Sequence, residues 1–179
     1  WWLAWLARHL CRREARALAR LDGLPGTPRL LAADAGRLRR EWIEGRPMQI
    51  AMPRNPDYFR HARCLVAALH RRGVAHNDLA KEPNWLVTPI GAPALVDFQL
   101  ATVSARRGRL FRVLAREDLR HLLKHKRLYC PERLTTRERR ILATPAPISR
   151  LWMATGKPVY RFITRRLLGW ADREGACDR

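Results

Sequence analysis

The chain has 179 residues, enough for about one domain, and its 47 % hydrophobic residues can bury a core, which excludes a disordered polypeptide. Its 36 Lys and Arg residues outnumber its 16 Asp and Glu residues, and the net charge of +20 favours anionic partners such as nucleic acid, an acidic membrane surface or phosphorylated ligands. The 4 cysteines are far apart and lack zinc-ligand spacing, so we expect reduced thiols and a cytoplasmic protein.

The first part of the chain predicts a helix followed by a hairpin. Residues 2–21 place apolar side chains at helical spacing, with arginines four residues apart on the opposite face. The segment DGLPGTP at 22–28 ends this helix, because it contains two glycines and two prolines. RLLAADAGRLRREWI at 29–43 predicts two short strands around a turn, and EGRPM at 44–48 predicts a connector.

The middle of the chain predicts a second helix, a polar loop and two further strands. The helix runs from Pro56 to Arg72, with Asp57 as the N-cap and Gly73 as the stop signal. HNDLAKEPN at 76–84 is too polar for a core element and predicts a loop. The apolar runs NWLVTP and PALVDFQL, each bounded by Pro or Gly, predict short strands.

The last part of the chain predicts helices. A basic stretch precedes a helix from about Val113 to Arg127, and Thr135 with Glu138 forms a capping box at the start of another helix. The basic amphipathic segment 158–170 either packs on the rest of the protein or lies on an anionic membrane. The order of the elements predicts an α+β fold in which most residues are helical.

Three polar side chains of the middle segment predict a magnesium-nucleotide site. Asp78 lies in the loop, where it can meet an acceptor group, and Asn84 and Asp97 lie at the two ends of a pair of strands joined by a turn. Magnesium prefers oxygen ligands, often one or two carboxylates together with phosphate and water. Phosphoryl transfer needs such a metal and a carboxylate that orients the acceptor hydroxyl.

These residues resemble the protein-kinase-like superfamily. His76-x-Asp78 with Asn84 resembles the catalytic loop, and Asp97-Phe98-Gln99 resembles the D-F-G segment. The letters HND are similar to those of small-molecule phosphotransferases, RIO-type kinases and lipopolysaccharide-core sugar kinases. The resemblance covers roughly residues 8–125 and is to short bacterial proteins described as serine/threonine-kinase-like or RIO-like.

The resemblance implies a kinase-like fold that is mostly the helical large lobe, with a truncated small lobe. Residues 1–47 would be the remnant of the small lobe and 48–179 the large lobe. Glu14 would be the helix acid that pairs with the ATP-binding lysine; the alternative is a pair with a neighbouring arginine on the helix surface. The backbone of Glu41 and Ile43 would meet adenine, and Asp118 would brace the catalytic loop.

The chain departs from the kinase pattern in three ways. Asn84 follows Asp78 by one residue more than usual, which predicts a bulge around 81–83. Gln99 replaces the Gly of D-F-G, which removes the freedom of positive φ. No Gly-rich loop or strand lysine precedes Glu14, so we expect either a fragment of a longer kinase or a reduced kinase with little turnover.

The function that these residues imply is an ATP- and Mg²⁺-dependent kinase. Asp78 would orient the acceptor hydroxyl, Lys81 would neutralise the transferred phosphate, and Asn84 and Asp97 would bind the metal. A protein Ser/Thr hydroxyl is the expected acceptor, and a lipopolysaccharide-core sugar is the alternative. A second alternative is an inactive kinase-like module that binds RNA, ribosomes or membrane through its Arg-rich surface. We expect a cytoplasmic location, including a peripheral one at the inner face of the membrane.

Overall fold

The computed structural model describes residues 2–34 and 36–144, which form five α-helices and seven short strands. The helices are α1 (Trp2–Arg20), α2 (Met48–Ala51), α3 (Pro56–Arg71), α4 (Arg109–Tyr129) and α5 (Thr136–Ala143). The strands are β1 (Leu30–Ala33), β2 (Leu38–Arg40), β3 (Arg46–Pro47), β4 (Val74–Ala75), β5 (Trp85–Val87), β6 (Pro93–Leu95) and β7 (Thr102–Val103). None of the helices in this described part combines the length and apolarity needed to cross a bilayer.

The contacts within the chain divide it into two units, Trp1–Leu142 and Ala143–Arg179. All elements discussed below belong to the first unit, apart from the last residue of α5. The amphipathic segment predicted at 158–170 lies outside the described residues, and the boundary between small and large lobes at 47–48 stays a prediction.

Helix α1 forms as its sequence predicts. Alanine, leucine and arginine are strong helix formers, and its apolar stripe buries Ala17 and Leu18 in the core. The helix ends just before Gly23, whose φ of 70° suits the left-handed backbone that glycine adopts readily. The arginines at four-residue spacing remain on the exposed face.

The strands pair in three small antiparallel sheets. β1 and β2 form the predicted hairpin, with Ala33 opposite Leu38. A three-stranded sheet has the order β3-β5-β6, and β4 pairs with β7. The connector predicted at 44–48 is wrong in part, because β3 and the start of α2 lie within it. Gly45 permits this approach to β5, since a Cβ there would lie 3.1 Å from the Leu86 Cβ atom.

The N-cap of helix α3 lies two residues before the predicted one. Asn55, not Asp57, is the N-cap, and its side chain accepts a hydrogen bond of 2.9 Å from the Asp57 N–H. The prediction of Asp57 is wrong because Pro56 takes the first helical position, which places the cap before the proline. Gly73 ends the helix as predicted, with φ 75°, and a Cβ at this position would collide with the Ser104 carbonyl oxygen.

Helices α4 and α5 complete the first unit. α4 begins at Arg109 rather than Val113, because Phe111 is buried against His70, with their ring centroids 6.2 Å apart. The capping box of α5 is confirmed: Glu138 accepts from the Thr135 N–H at 2.9 Å, and the Glu138 N–H donates to Thr135 Oγ1 at 3.2 Å.

The buried core brings α1, α3, α4 and the middle strands together around one cluster. Its largest fully buried side chains are Trp85, Phe98, Leu18, Leu21, Met48, Leu69, Leu79, Leu95, Leu122 and Leu123. The prediction that 76–84 is too polar to belong to the core is wrong in part, because His76, Leu79 and Asn84 are buried. The His76 Nε2 atom and the Asn84 side-chain nitrogen are hydrogen-bonded, which makes the burial more tolerable.

Candidate active site

The loop at 76–84 is attached to helix α4 through a fully buried aspartate. Asp118 Oδ2 accepts a hydrogen bond of 2.8 Å from the His76 N–H, and its Oδ1 accepts one of 2.9 Å from the Asn77 N–H. His70 Nε2 lies 3.0 Å from Asp118 Oδ2. A buried carboxylate requires such donors. The loop therefore has a fixed starting point, in the role that the kinase resemblance implies for Asp118.

His76 supports the loop from within the core. Its Nε2 donates to the Val96 carbonyl oxygen at 3.0 Å, and its ring lies against Phe98, with centroids 4.6 Å apart. Burial lowers the pKa of His76, so the ring is neutral near pH 7. A neutral ring whose one proton is bound to a carbonyl serves as a structural contact between the loop and β6.

Three of the predicted site residues meet at one carboxylate. Asp78 Oδ2 lies 3.0 Å from Lys81 Nζ and 3.0 Å from Asn84 Nδ2, and the same Asn84 nitrogen donates to the Asp78 backbone oxygen at 2.9 Å. The Lys81 side chain is 61 % exposed and that of Asp78 is 13 % exposed. The Asp78 carboxylate is therefore held in place through its Oδ2 atom.

Asn84 and Asp97 are brought to the same end of the β5–β6 pair. The Val96 N–H donates to the Asn84 carbonyl oxygen at 3.1 Å, just before Asp97. Because the Asn84 amide nitrogen faces Asp78, its amide oxygen is the atom left for a metal. The Asp97 carboxylate accepts a long hydrogen bond of 3.5 Å from the Gln99 N–H.

The Asn84 amide oxygen and the Asp97 carboxylate fit the way in which proteins usually bind magnesium. In the described part of the chain, no group of three or more His, Cys, Asp or Glu side chains is placed to hold a metal. Magnesium commonly takes only one or two carboxylates from the protein and keeps waters and phosphate oxygens as its other ligands. One carboxylate and one amide oxygen match that requirement for a site shared with a nucleotide.

The additional residue between Asp78 and Asn84 lies in a short 3-10 turn, Glu82–Asn84. Glu82 Oε1 accepts from the Tyr129 hydroxyl at 2.9 Å. His125 Nε2 donates to the Leu79 carbonyl oxygen at 2.8 Å, and burial lowers the pKa of His125, so this ring too is neutral. Helix α4 thus holds the loop at its middle as well as at its start.

Sequence reasoning did not identify Glu82, Tyr129 or His125 as parts of the site. The Glu82–Tyr129 and Leu79–His125 contacts join residues 47 and 46 positions apart, and their only sequence signal is the departure from the usual spacing. The bulge predicted at 81–83 overlaps the 3-10 turn.

Glu14, on α1, lies beside the residues that follow Asp97. It is 3 % exposed, its Oε1 lies 3.3 Å from Arg40 Nε on β2, and it accepts hydrogen bonds from the Phe98 N–H and the Gln99 side chain. Burial raises the pKa of Glu14, while the Arg40 guanidinium opposes that rise. The alternative of a pair on the helix surface is wrong, because Glu14 is buried and its partner is on another element.

Glu14 Oε1 makes no hydrogen bond to the described residues, although it is buried. Its charge partner is Arg40, at 3.3 Å, and the role of Glu14 in nucleotide binding stays a prediction.

The predicted adenine-binding residues follow β2 directly. The Glu41 N–H donates to the Arg29 carbonyl oxygen at 2.9 Å, so it extends the hairpin and leaves the Glu41 carbonyl for a ligand. Ile43 is partly buried, and the Trp42 side chain between them is 85 % exposed. The adenine contact of Glu41 and Ile43 stays a prediction.

The sequence matches no protein-family model and no curated protein. Among solved structures, the chain is similar to the Rio2 kinase from Chaetomium thermophilum, with a TM-score of 0.61 and 18 % identity over 80 % of this chain and 44 % of that one. It is also similar to the Rio2 kinase-ADP/Mg²⁺-phosphoaspartate complex from the same organism, with a TM-score of 0.57 and 15 % identity over 86 % and 50 %.

The chain thus spans about half the length of the solved structures that it matches. At these identities the likeness concerns the fold. The chain has a protein-kinase-like fold of mixed helices and sheets, as predicted.

Proposed function

We propose that the chain is an ATP- and Mg²⁺-dependent phosphotransferase that acts on a hydroxyl acceptor. The observation that carries the proposal is the meeting of Asp78, Lys81 and Asn84 within 3.0 Å in a kinase-like fold. One of the similar Rio2 structures is a complex with ADP and Mg²⁺, which supports the choice of nucleotide and metal.

Asp78 orients the acceptor in this proposal. Lys81 and Asn84 occupy its Oδ2, so its other carboxylate oxygen is directed to accept a hydrogen bond from the acceptor hydroxyl. Asn84 and Asp97 would hold the metal, which, when bound, supplies positive charge beside the phosphates. The Lys81 ammonium adds a protein cation on the exposed side of Asp78, where the transferred phosphoryl group carries negative charge.

The proposal is tested by phosphate transfer from labelled ATP. Asp78→Ala and Asp97→Ala should each reduce the rate by about a hundredfold or more, since one removes the group that orients the acceptor and the other a metal ligand. Asp22→Ala, at an exposed aspartate after α1, is the matched control and should retain the wild-type rate. Transfer that survives both site substitutions would contradict these roles.

We propose that the acceptor is a serine or threonine of a protein. We also propose that the chain itself belongs to a RIO-like subfamily. The resemblance to short bacterial proteins described as serine/threonine-kinase-like or RIO-like supports both, and the +20 charge favours an acidic protein. An acidic protein and a lipopolysaccharide-core sugar should be offered in parallel; label on the sugar alone would reject the protein acceptor. Salt-sensitive binding of polyanions without transfer to either acceptor would favour the inactive kinase-like module.

A further inference from the structure

The carbonyl oxygen of Leu100, shortly after Asp97, accepts hydrogen bonds from two different elements. Arg13 Nη2 on α1 donates to it at 2.9 Å, and Asn77 Nδ2 in the catalytic loop donates to it at 2.8 Å. Arg13 Nη2 also lies 3.2 Å from the Ala101 carbonyl oxygen. We call Arg13, Asn77 and Leu100 the Leu100 junction. It joins α1, the catalytic loop and the segment after Asp97 at one atom.

The residues next to the junction strengthen each of its attachments. Glu14 follows Arg13 on α1 and accepts hydrogen bonds from Phe98 and Gln99, so two consecutive helix residues contact residues 98–101. On the loop side, Asn77 directly precedes Asp78, and its Nδ2 also donates to Thr102 Oγ1 at 2.9 Å. Residues 98–102, which follow Asp97, are therefore bonded both to α1 and to the catalytic loop.

Asp97 depends on these attachments for its position. Its backbone is left-handed, with φ 64°, a conformation that is uncommon outside glycine and that aspartate and asparagine adopt more readily than other residues. Its carboxylate accepts a hydrogen bond of 3.5 Å from Gln99, which is too long to fix the side chain firmly. The backbone bonds around it therefore determine where the carboxylate lies.

We propose that Arg13 and Asn77 are positioning residues for Asp97, which act through the Leu100 carbonyl and so set the affinity for the divalent metal. This inference rests on the proposed function only in the metal-binding role of Asp97. The two residue types suit the task. Arg13 Nη2 reaches two adjacent carbonyl oxygens, and asparagine tolerates the left-handed backbone of Asn77, with φ 67°.

The test measures the binding of Mn²⁺-ADP to the 179-residue chain by calorimetry. Arg13→Ala should weaken the affinity about tenfold, as expected for the loss of a charge-assisted hydrogen bond. Arg13→Lys should fall between wild type and alanine, because the ammonium keeps the charge and the donors but lacks the planar, pre-organised guanidinium. Asn77→Gly keeps the left-handed backbone and removes the side-chain donor, so it should also weaken binding.

Arg20→Ala is the matched control. Arg20 lies on the same helix and makes the same kind of bond, from Nε to the Arg72 carbonyl oxygen at 3.0 Å, but this bond joins α1 to the end of α3. Its removal should leave the Mn²⁺-ADP affinity unchanged. Hydrogen exchange of the backbone amides at 98–102 should become faster in Arg13→Ala and not in Arg20→Ala.

Three results would overturn the inference. The first is an Arg13→Ala chain that is folded and binds Mn²⁺-ADP as wild type does. The second is an equal loss in Arg13→Ala and Arg20→Ala, which would indicate general loosening of α1. The third is a wild-type chain that does not bind Mn²⁺-ADP. A wild-type chain that binds Mn²⁺-ADP but transfers no phosphate rejects the proposed function instead, and the affinities of the variants still decide the inference.

Discussion

At the scale of single residues, the candidate site depends on a buried carboxylate whose two oxygens both accept hydrogen bonds. Asp118 accepts hydrogen bonds from two successive backbone amides, those of His76 and Asn77. The sequence predicts Asp78, Asn84 and Asp97 as site residues, because their types and order resemble a kinase pattern. It does not identify the partners of the additional loop residue, Glu82 with Tyr129, because contacts between distant residues leave no local pattern.

Replacing Asp118 should destabilise the protein strongly. Asp118→Ala leaves the buried His76 N–H and the partly buried Asn77 N–H without their acceptor, at a cost of about 1–3 kcal/mol each, so we expect the free energy of unfolding to fall by about 2–6 kcal/mol. Urea denaturation measures this change. Asp57→Ala, at an exposed aspartate on α3, is the control and should change stability by less than about 0.5 kcal/mol. A comparable effect of the two substitutions would contradict the bracing role.

At the scale of elements, predictions from the sequence succeed where the periodic pattern is long. The bounds of α1 and α3 follow from apolar spacing and from glycine stop signals. β3 is missed because Arg46 and Pro47 are too few to show a pattern; their pairing depends on close contact with β5. The sequence predicts the start of α4 too late in the chain. The basic residues around Phe111 do not indicate a helix, but Phe111 is buried against His70 and belongs to α4.

Gly73→Ala should destabilise the connection between α3 and β4 more than an ordinary glycine replacement. Alanine at φ 75° is strained, and its Cβ would also collide with the Ser104 carbonyl oxygen, which together should cost about 2–4 kcal/mol. Gly23→Ala separates the two effects, because Gly23 has a similar φ of 70° but nothing within 4 Å of its Cβ position, and about 1–2 kcal/mol is expected. Equal unfolding free energies for the two variants would exclude the collision.

At the scale of the whole molecule, positive charge and buried histidines act in the same direction on acidification. The chain carries a net charge of +20 before any histidine is protonated. Burial lowers the pKa values of His76, His121 and His125, that of His121 to about 4. Protonation therefore opposes folding at each of these sites, in a molecule that already repels further positive charge.

Stability should fall as the pH is lowered from about 6.5 towards 4. In this window the unfolded chain binds a proton at His121, with its ordinary pKa of 6.5, and the folded chain does not, so the unfolding free energy decreases with decreasing pH. One such site contributes a slope of about 1 kcal/mol per pH unit. Urea denaturation across this range should give a flatter slope for His121→Gln, whereas His61→Gln, at an exposed histidine, should follow wild type. Identical slopes for His121→Gln and wild type would contradict the assignment.

The Leu100 junction has a consequence for the order in which the protein matures. Arg13 and Leu100 are 87 residues apart in the sequence. The loop at 76–84 is held by Asp118, which lies 42 residues after His76. Contacts between such distant residues form late, because closing a long loop costs entropy before any bond compensates for it. During synthesis α1 emerges before residues 100 and 101 and lacks these contacts until residue 101 has been added. The proposed metal binding should therefore be acquired only after α4 has left the ribosome, long after α1 is complete.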